Sequence, residues 1–191
     1  MTRKFGDLKA AMTNVDLAEK HAKWYERCDR LMQGTLLRDV RVFEEAAEST
    51  DEDLIVRSEP LDLIVLTQSC DIGRDSQPRL LTAEVQTYGE LLKLRAGTDA
   101  AKSSYRKHLI RNLATSDMLL PPCAELAIDD YLIVNFRELH HVFYKRVKSD
   151  QGYVCLASPF REQLSQMFAS FVMRVGLPTP PLHEFEKHSG T

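Results

Sequence analysis

The chain has 191 residues, 43% hydrophobic and 28% charged, with a formal net charge of −3; this is the balance of a folded domain and excludes a disordered or low-complexity chain. Slight acidity also excludes a global basic field, so contact with nucleic acid needs a local basic patch. No apolar run reaches the roughly 18 residues of a spanning helix.

The charged start Met1–Phe5 is not followed by the apolar stretch of a signal peptide, so a cytoplasmic location is expected. Cysteines stand at 28, 70, 123 and 155 with no CxxC pair. In that compartment they are expected to be reduced thiols rather than a disulfide framework.

In chain order, residues 1–33 form an N-terminal helical segment. Asn14 can cap, Asp16 suits the first turn, and Val15, Ala18, Ala22, Tyr25, Cys28 and Met32 recur at helical spacing until Gly34. That apolar face packs on the body of the domain or on a partner's helix. From Gly34 the pattern changes to a strand, Thr35–Phe43, followed by an acidic stretch, Glu44–Asp53, that reads as a solvated loop. Leu61–Thr67 is apolar on both faces in its middle, as expected of a strand buried on both sides. Another strand spans Arg79–Val85.

Thr87-Tyr88-Gly89-Glu90 fits a capping box, opening a helical insertion over 86–115 whose second helix runs from about Asp99 to Asn112. Between residues 90 and 111 it carries Lys93, Arg95, Lys102, Arg106, Lys107 and Arg111 against Glu90 and Asp99. Met118–Leu120, stopped by Pro121-Pro122, is an edge strand, and Tyr131–Phe136 is a second run apolar on both faces. His141–Val147 alternates, and with Tyr153–Ala157 it reads as a hairpin turning at Ser149–Gly152. The chain closes with a helix over 158–176, with Ser158 as N-cap and Pro159 in its first turn, and a tail over 177–191. The whole, 1–191, is one α+β domain: an SH3-like β-barrel or strongly bent antiparallel sheet over 34–157, with an N-terminal helix, an inserted helical pair and a C-terminal helix.

The order from Gly34 onward resembles the MazF/PemK-type toxin barrel, a small SH3-like fold. Gly34–Leu37, Pro60–Thr67, Leu81–Thr87 and Ile133–Leu139 match its successive strands in pattern and spacing. The resemblance implies a toxin–antitoxin or phage-defence protein of bacterial type that binds RNA, with endoribonuclease activity in typical members and homodimerisation common among them. Those members use an Arg directly before the Pro and a Thr ending the third strand. Here Glu59 precedes Pro60, the nearest basic residue is Arg57, and Thr87 near the Thr position also reads as a helix cap.

Gln68-Ser69-Cys70-Asp71, where the buried strand surfaces, is a candidate binding edge. Cys70 with Asp71 and Arg57 are the candidate catalytic groups, a Cys needing a base such as His108, His140 or His141. The alternative is structural, with Ser69 and Asp71 capping the strand end and Cys70 a small buried residue. Arg106, Lys107 and Arg111 are the candidate phosphate contacts, with Tyr88 and Tyr105 for stacking and Arg74 and Arg137 extending the patch. Cys70, Cys123, His140 and His141 lack the spacing of a metal site, so neither metal nor other cofactor is expected. Three functions follow: a toxin-like RNA-binding protein, a non-enzymatic subunit docking on a partner protein through its N- or C-terminal helix, and a Cys70-dependent hydrolase.

Overall fold

The computed structural model describes residues 23–50, 52–73, 78–95, 102–112 and 116–173. The strands are β1 (Tyr25–Cys28), β2 (Thr35–Glu45), β3 (Val56–Val65), β4 (Arg79–Thr87), β5 (Asp117–Leu120), β6 (Leu132–Phe143) and β7 (Tyr153–Leu156). Between and after them come α1 (Tyr88–Leu94), α2 (Ser103–Ile110), α3 (Tyr144–Val147) and α4 (Phe160–Val172). All seven strands join one antiparallel sheet in the order β1-β7-β2-β3-β4-β6-β5.

The sheet is strongly bent. In a flat sheet β2 and β6, with two strands between them, would lie about 14 Å apart. Yet Val42 of β2 shares an apolar cluster with Leu80 of β4 and Val142 of β6. Arg146 of α3 also donates from Nη2 to the Arg41 carbonyl at 3.0 Å. The far half of the β2–β3 hairpin therefore curls over one face, toward the C-terminal half of β6. Two bulges permit the bend. One lies between Leu37 and Val40, where Asp39 has φ +52°, and the other sets Ala83 opposite Leu139 but Glu84 opposite Asn135.

Alternation along the strands feeds both faces. Ile64, Leu66, Ala83, Val134, Phe136 and Leu156 form the larger core, covered by Leu164, Phe168 and Phe171 of α4. Leu63, Val65 and Leu80 turn the other way, into the curl. This two-sided burial is why the sequence around Leu63–Leu66 is uniformly apolar. A third cluster joins Leu91 of α1 and Leu109 of α2 to Ile133 of β6, which seats the insertion on the sheet. The Thr87–Glu90 capping box is present, with Thr87 Oγ1 accepting from the Glu90 N–H at 3.2 Å and the Glu90 carboxylate accepting from the Thr87 N–H at 2.8 Å.

Several expectations are corrected. Tyr25–Cys28 is a strand and not the end of a helix, because pairing with β7 overrides the helical spacing of its apolar residues. The rest of that expected helix, through Ala22, lies outside the described residues, as do residues 174–176 of the expected C-terminal helix and the tail over 177–191. Cys28 and Cys155 are joined in a disulfide, against the expectation of four reduced thiols, while Cys70 and Cys123 remain free. The antiparallel register of β1 on β7 brings together two cysteines 127 residues apart, a closeness no local spacing could announce.

His141–Phe143 continues β6, and Tyr144–Val147 is a helical turn. The expected hairpin with 153–157 is absent because β7 pairs with β1 and β2. Glu44 and Glu45 belong to β2 rather than to a loop. In α4 the cap position falls on Pro159, without a side-chain hydrogen bond, rather than on Ser158.

Candidate functional site

The bulge in β2 organises the surface. Two residues, Arg38 and Asp39, stand opposite the single residue Asp62, so the apolar alternation of Leu37 and Val40 slips by one. The Asp39 N–H donates to Asp62 Oδ1 at 3.0 Å, and Asp62 Oδ2 holds Arg38 Nε at 2.7 Å. Asp62 thus fixes both bulge residues. Two clefts open there and share Arg38 and Asp39.

The smaller cleft, about 210 Å³, is lined by Leu37, Arg38, Asp39, Val40, Arg41, Arg146 and Val147. Three arginines and one aspartate are among its lining residues. The larger, about 470 Å³, lies between Pro60–Asp62 of β3, Glu84–Gln86 of β4, and Glu90, Lys93 and Leu94 of α1. It exists because β3 pairs with β4 from Leu63 onward, while Pro60–Asp62 of β3 stand apart from Val85 and Gln86 of β4.

Inside the curl is an acidic mouth. His140 is buried, with Nδ1 2.9 Å from Glu44 Oε1, while its Nε2 is also buried and makes no hydrogen bond among the described residues. Glu84 faces the same space and accepts from Gln86 Nε2. Burial pushes its carboxyl above the ordinary value of 4.5, and the nearby Glu138 and Glu59 push the same way against the opposing pull of Gln86 and His140. Arg57, the basic residue nearest Pro60 in sequence, pairs with Glu48 at 2.7 Å, while the residue opposite Pro60 across the strands is Arg41. Anions are repelled from such a setting, and RNA is an anion.

The insertion presents the opposite charge. In α2, Leu109 is buried and Tyr105 half-buried, while Arg106, Lys107 and His108 are exposed, with Arg111 just beyond. Lys93 of α1 is exposed as well. Tyr88 and Tyr105, expected as stacking groups, instead pack on Leu91, Leu109 and Ile133. Burial, and then the neighbouring Asp117, push the Tyr105 hydroxyl up to about 12.

Neither a protein-family model nor a curated protein matches this chain.

The other candidates from the sequence are dispersed. Gln68-Ser69-Cys70-Asp71 forms an exposed turn, closed by the Asp71 N–H donating to the Gln68 carbonyl at 2.9 Å. Ser69 Oγ accepts from the Gln33 N–H at 3.1 Å, and Gln33 in turn donates to the Leu66 carbonyl at 2.8 Å. Ser69 therefore ties the end of β3 to the start of β2. Cys70 is exposed rather than buried, its sulfur 3.9 Å from Gln68 Oε1. Arg57 sits near the start of β3, whereas Cys70 follows its end, so the length of β3 separates them. Arg137 is exposed at the β6 bulge, its N–H donating to Asn135 Oδ1 at 3.1 Å. Arg74 lies outside the described residues.

Among the described residues, Glu26, Cys28 and Cys155 bring metal-ligating atoms within 4.8 Å of one another, but both sulfurs are committed to the disulfide. Also among the described residues, no helix is long and apolar enough to cross a membrane. Sequence reasoning missed the arginine cleft. Its signal was present: Leu36-Leu37 and Val40-x-Val42 cannot keep one alternation across Arg38-Asp39, the mark of a bulge.

Proposed function

We propose that this domain binds nucleic acid, RNA in the first instance, through the outer surface of the α1–α2 insertion, on a toxin-like SH3 barrel scaffold. One observation carries the reading: α2 buries Leu109 against Ile133 and leaves Arg106, Lys107 and Arg111 exposed. Clustered Lys and Arg supply phosphate affinity whatever the base sequence. Strand cleavage is not part of the proposal, because Arg57 is paired with Glu48 and flanked by Glu59.

The test is titration of a labelled single-stranded RNA at several salt concentrations. Binding should weaken as salt rises. The triple variant Arg106→Ala/Lys107→Ala/Arg111→Ala should bind more weakly, with a log–log salt slope shallower by about 0.7 for each phosphate it no longer neutralises. Absence of binding at low salt, or a triple variant equal to the parent, sinks the reading.

A protein partner is the second reading. It is favoured by Leu94 and Ile110, large apolar side chains 74% and 69% exposed at the ends of α1 and α2. Leu94→Ser/Ile110→Ser would abolish capture of such a partner while leaving RNA affinity unchanged.

A further inference from the structure

We propose that the small cleft at the β2 bulge binds a terminal phosphate of a nucleic-acid strand, the phosphate being held by Arg38, Arg41 and Arg146. The strand part of this assignment rests on the nucleic-acid reading above; the phosphate part rests on the cleft.

Each guanidinium is already oriented by the protein. Arg38 is held by Asp62 at 2.7 Å. Arg41 donates from Nη1 to Ser58 Oγ at 3.2 Å. Arg146 donates to the Arg41 carbonyl and lies 5.2 Å from the centre of the Phe43 ring. Every guanidinium has five N–H donors, so these contacts fix its plane and leave donors for a ligand. Leu37, Val40 and Val147 complete the lining beside the charges.

Acceptor number selects the ligand class. Three arginines stand against Asp39 and against Asp62, which pairs with Arg38, so the net around the cleft is one positive charge. A phosphate monoester presents three strong acceptor oxygens to the remaining guanidinium donors, whereas a backbone diester presents two. The cleft's volume, about 210 Å³, equals that of about seven waters, small enough for a phosphate group and too small for a run of nucleotides.

The experiment has two arms on the full chain. In the first, inorganic phosphate is titrated while the amide resonances of residues 38–41 and 146 are followed by NMR, against chloride at matched ionic strength. In the second, three oligoribonucleotides of one sequence are compared: phosphorylated at the 5′ end, at the 3′ end, or at neither. Phosphate should shift those amides, and one phosphorylated strand should bind about tenfold tighter than the unphosphorylated one, the gain of a charge-assisted contact. Arg41→Ala and Arg146→Ala, both at exposed positions, should erase that advantage. Asp39→Asn should enlarge it, since Asn removes the opposing charge and tolerates the positive φ.

Equal binding of all three strands with no phosphate shifts overturns the proposal while leaving the nucleic-acid reading intact. Phosphate shifts without binding of any RNA overturn the nucleic-acid reading and the strand-end assignment, and support a site for a small phosphate compound. No response in either arm overturns both.

Discussion

His140 of β6 reaches Glu44 of β2 at 2.9 Å, although two other strands separate β2 from β6 in the sheet. The contact spans the open side of the curl and pins the hairpin arm above β6. Glu44 is half exposed, so its share is modest and Glu44→Ala should cost no more than about 1 kcal/mol. His140 is almost fully buried, and His140→Ala also leaves a void, costing about 2–3 kcal/mol. Urea unfolding of both variants checks the order; a larger loss for Glu44→Ala would show that the pair itself dominates.

Glu84 gives a pH dependence of definite sign. Burial, with Glu138 and Glu59 adding, holds its folded-state carboxyl above the ordinary 4.5. A raised acid favours the folded state when protonated, so its contribution is complete below the unfolded value and fades as pH rises through the folded one. Glu84→Gln should therefore stabilise the protein at neutral pH, and its advantage should vanish on acidification below about pH 4. Melting temperatures of parent and variant across that range provide the check; a constant difference would remove Glu84 from the pH response.

The Cys28–Cys155 bridge closes a loop spanning 127 residues of sequence. Cross-links over long loops restrict the unfolded chain most, with typical gains of about 2–4 kcal/mol. Cys28→Ser should lower the melting temperature of the oxidised protein and abolish its sensitivity to a phosphine reductant. Parent protein that melts identically with and without reductant would contradict the bridge's role.

Thr87 separates two readings of one residue. As the cap of α1, its replacement by Ala should cost about 1 kcal/mol of stability. RNA affinity per folded molecule should not change. Circular dichroism melts alongside the RNA titration measure both, and a loss of affinity without a loss of stability would give Thr87 a binding role.

Much of the sheet was legible in the sequence because its signals are local. The doubly apolar centre of β3, the edge strand before Pro121, the capping box and the apolar face of α4 each announce themselves within a few residues. The failures involve partners distant in sequence. Tyr25–Cys28 has helical spacing, yet β7 supplies its hydrogen bonds from 127 residues away. The end of β6 alternates like a strand about to turn into a hairpin, yet β7 lies on the far side of β2. The site divides in the same manner. The charge of the insertion is readable as a run of residues, while the arginine cleft joins residues 38 and 41 to residue 146 only through the curl of the sheet.

The parting of β3 from β4 also has a kinetic meaning. β2 and β3 are registered over eight residue pairs and β4 and β6 over nine, but the seam between these two ribbons holds three, extended by the Leu66 and Thr67 N–H groups donating to the Leu81 carbonyl. Separation along that seam breaks few ladder bonds, so the chain can open there sub-globally, as two hairpin-like halves, below the cost of complete unfolding. Amide protons at Leu63–Val65 facing the seam would then exchange with solvent sooner than those of the β4–β6 ribbon, even though their side chains are among the most deeply buried in the protein.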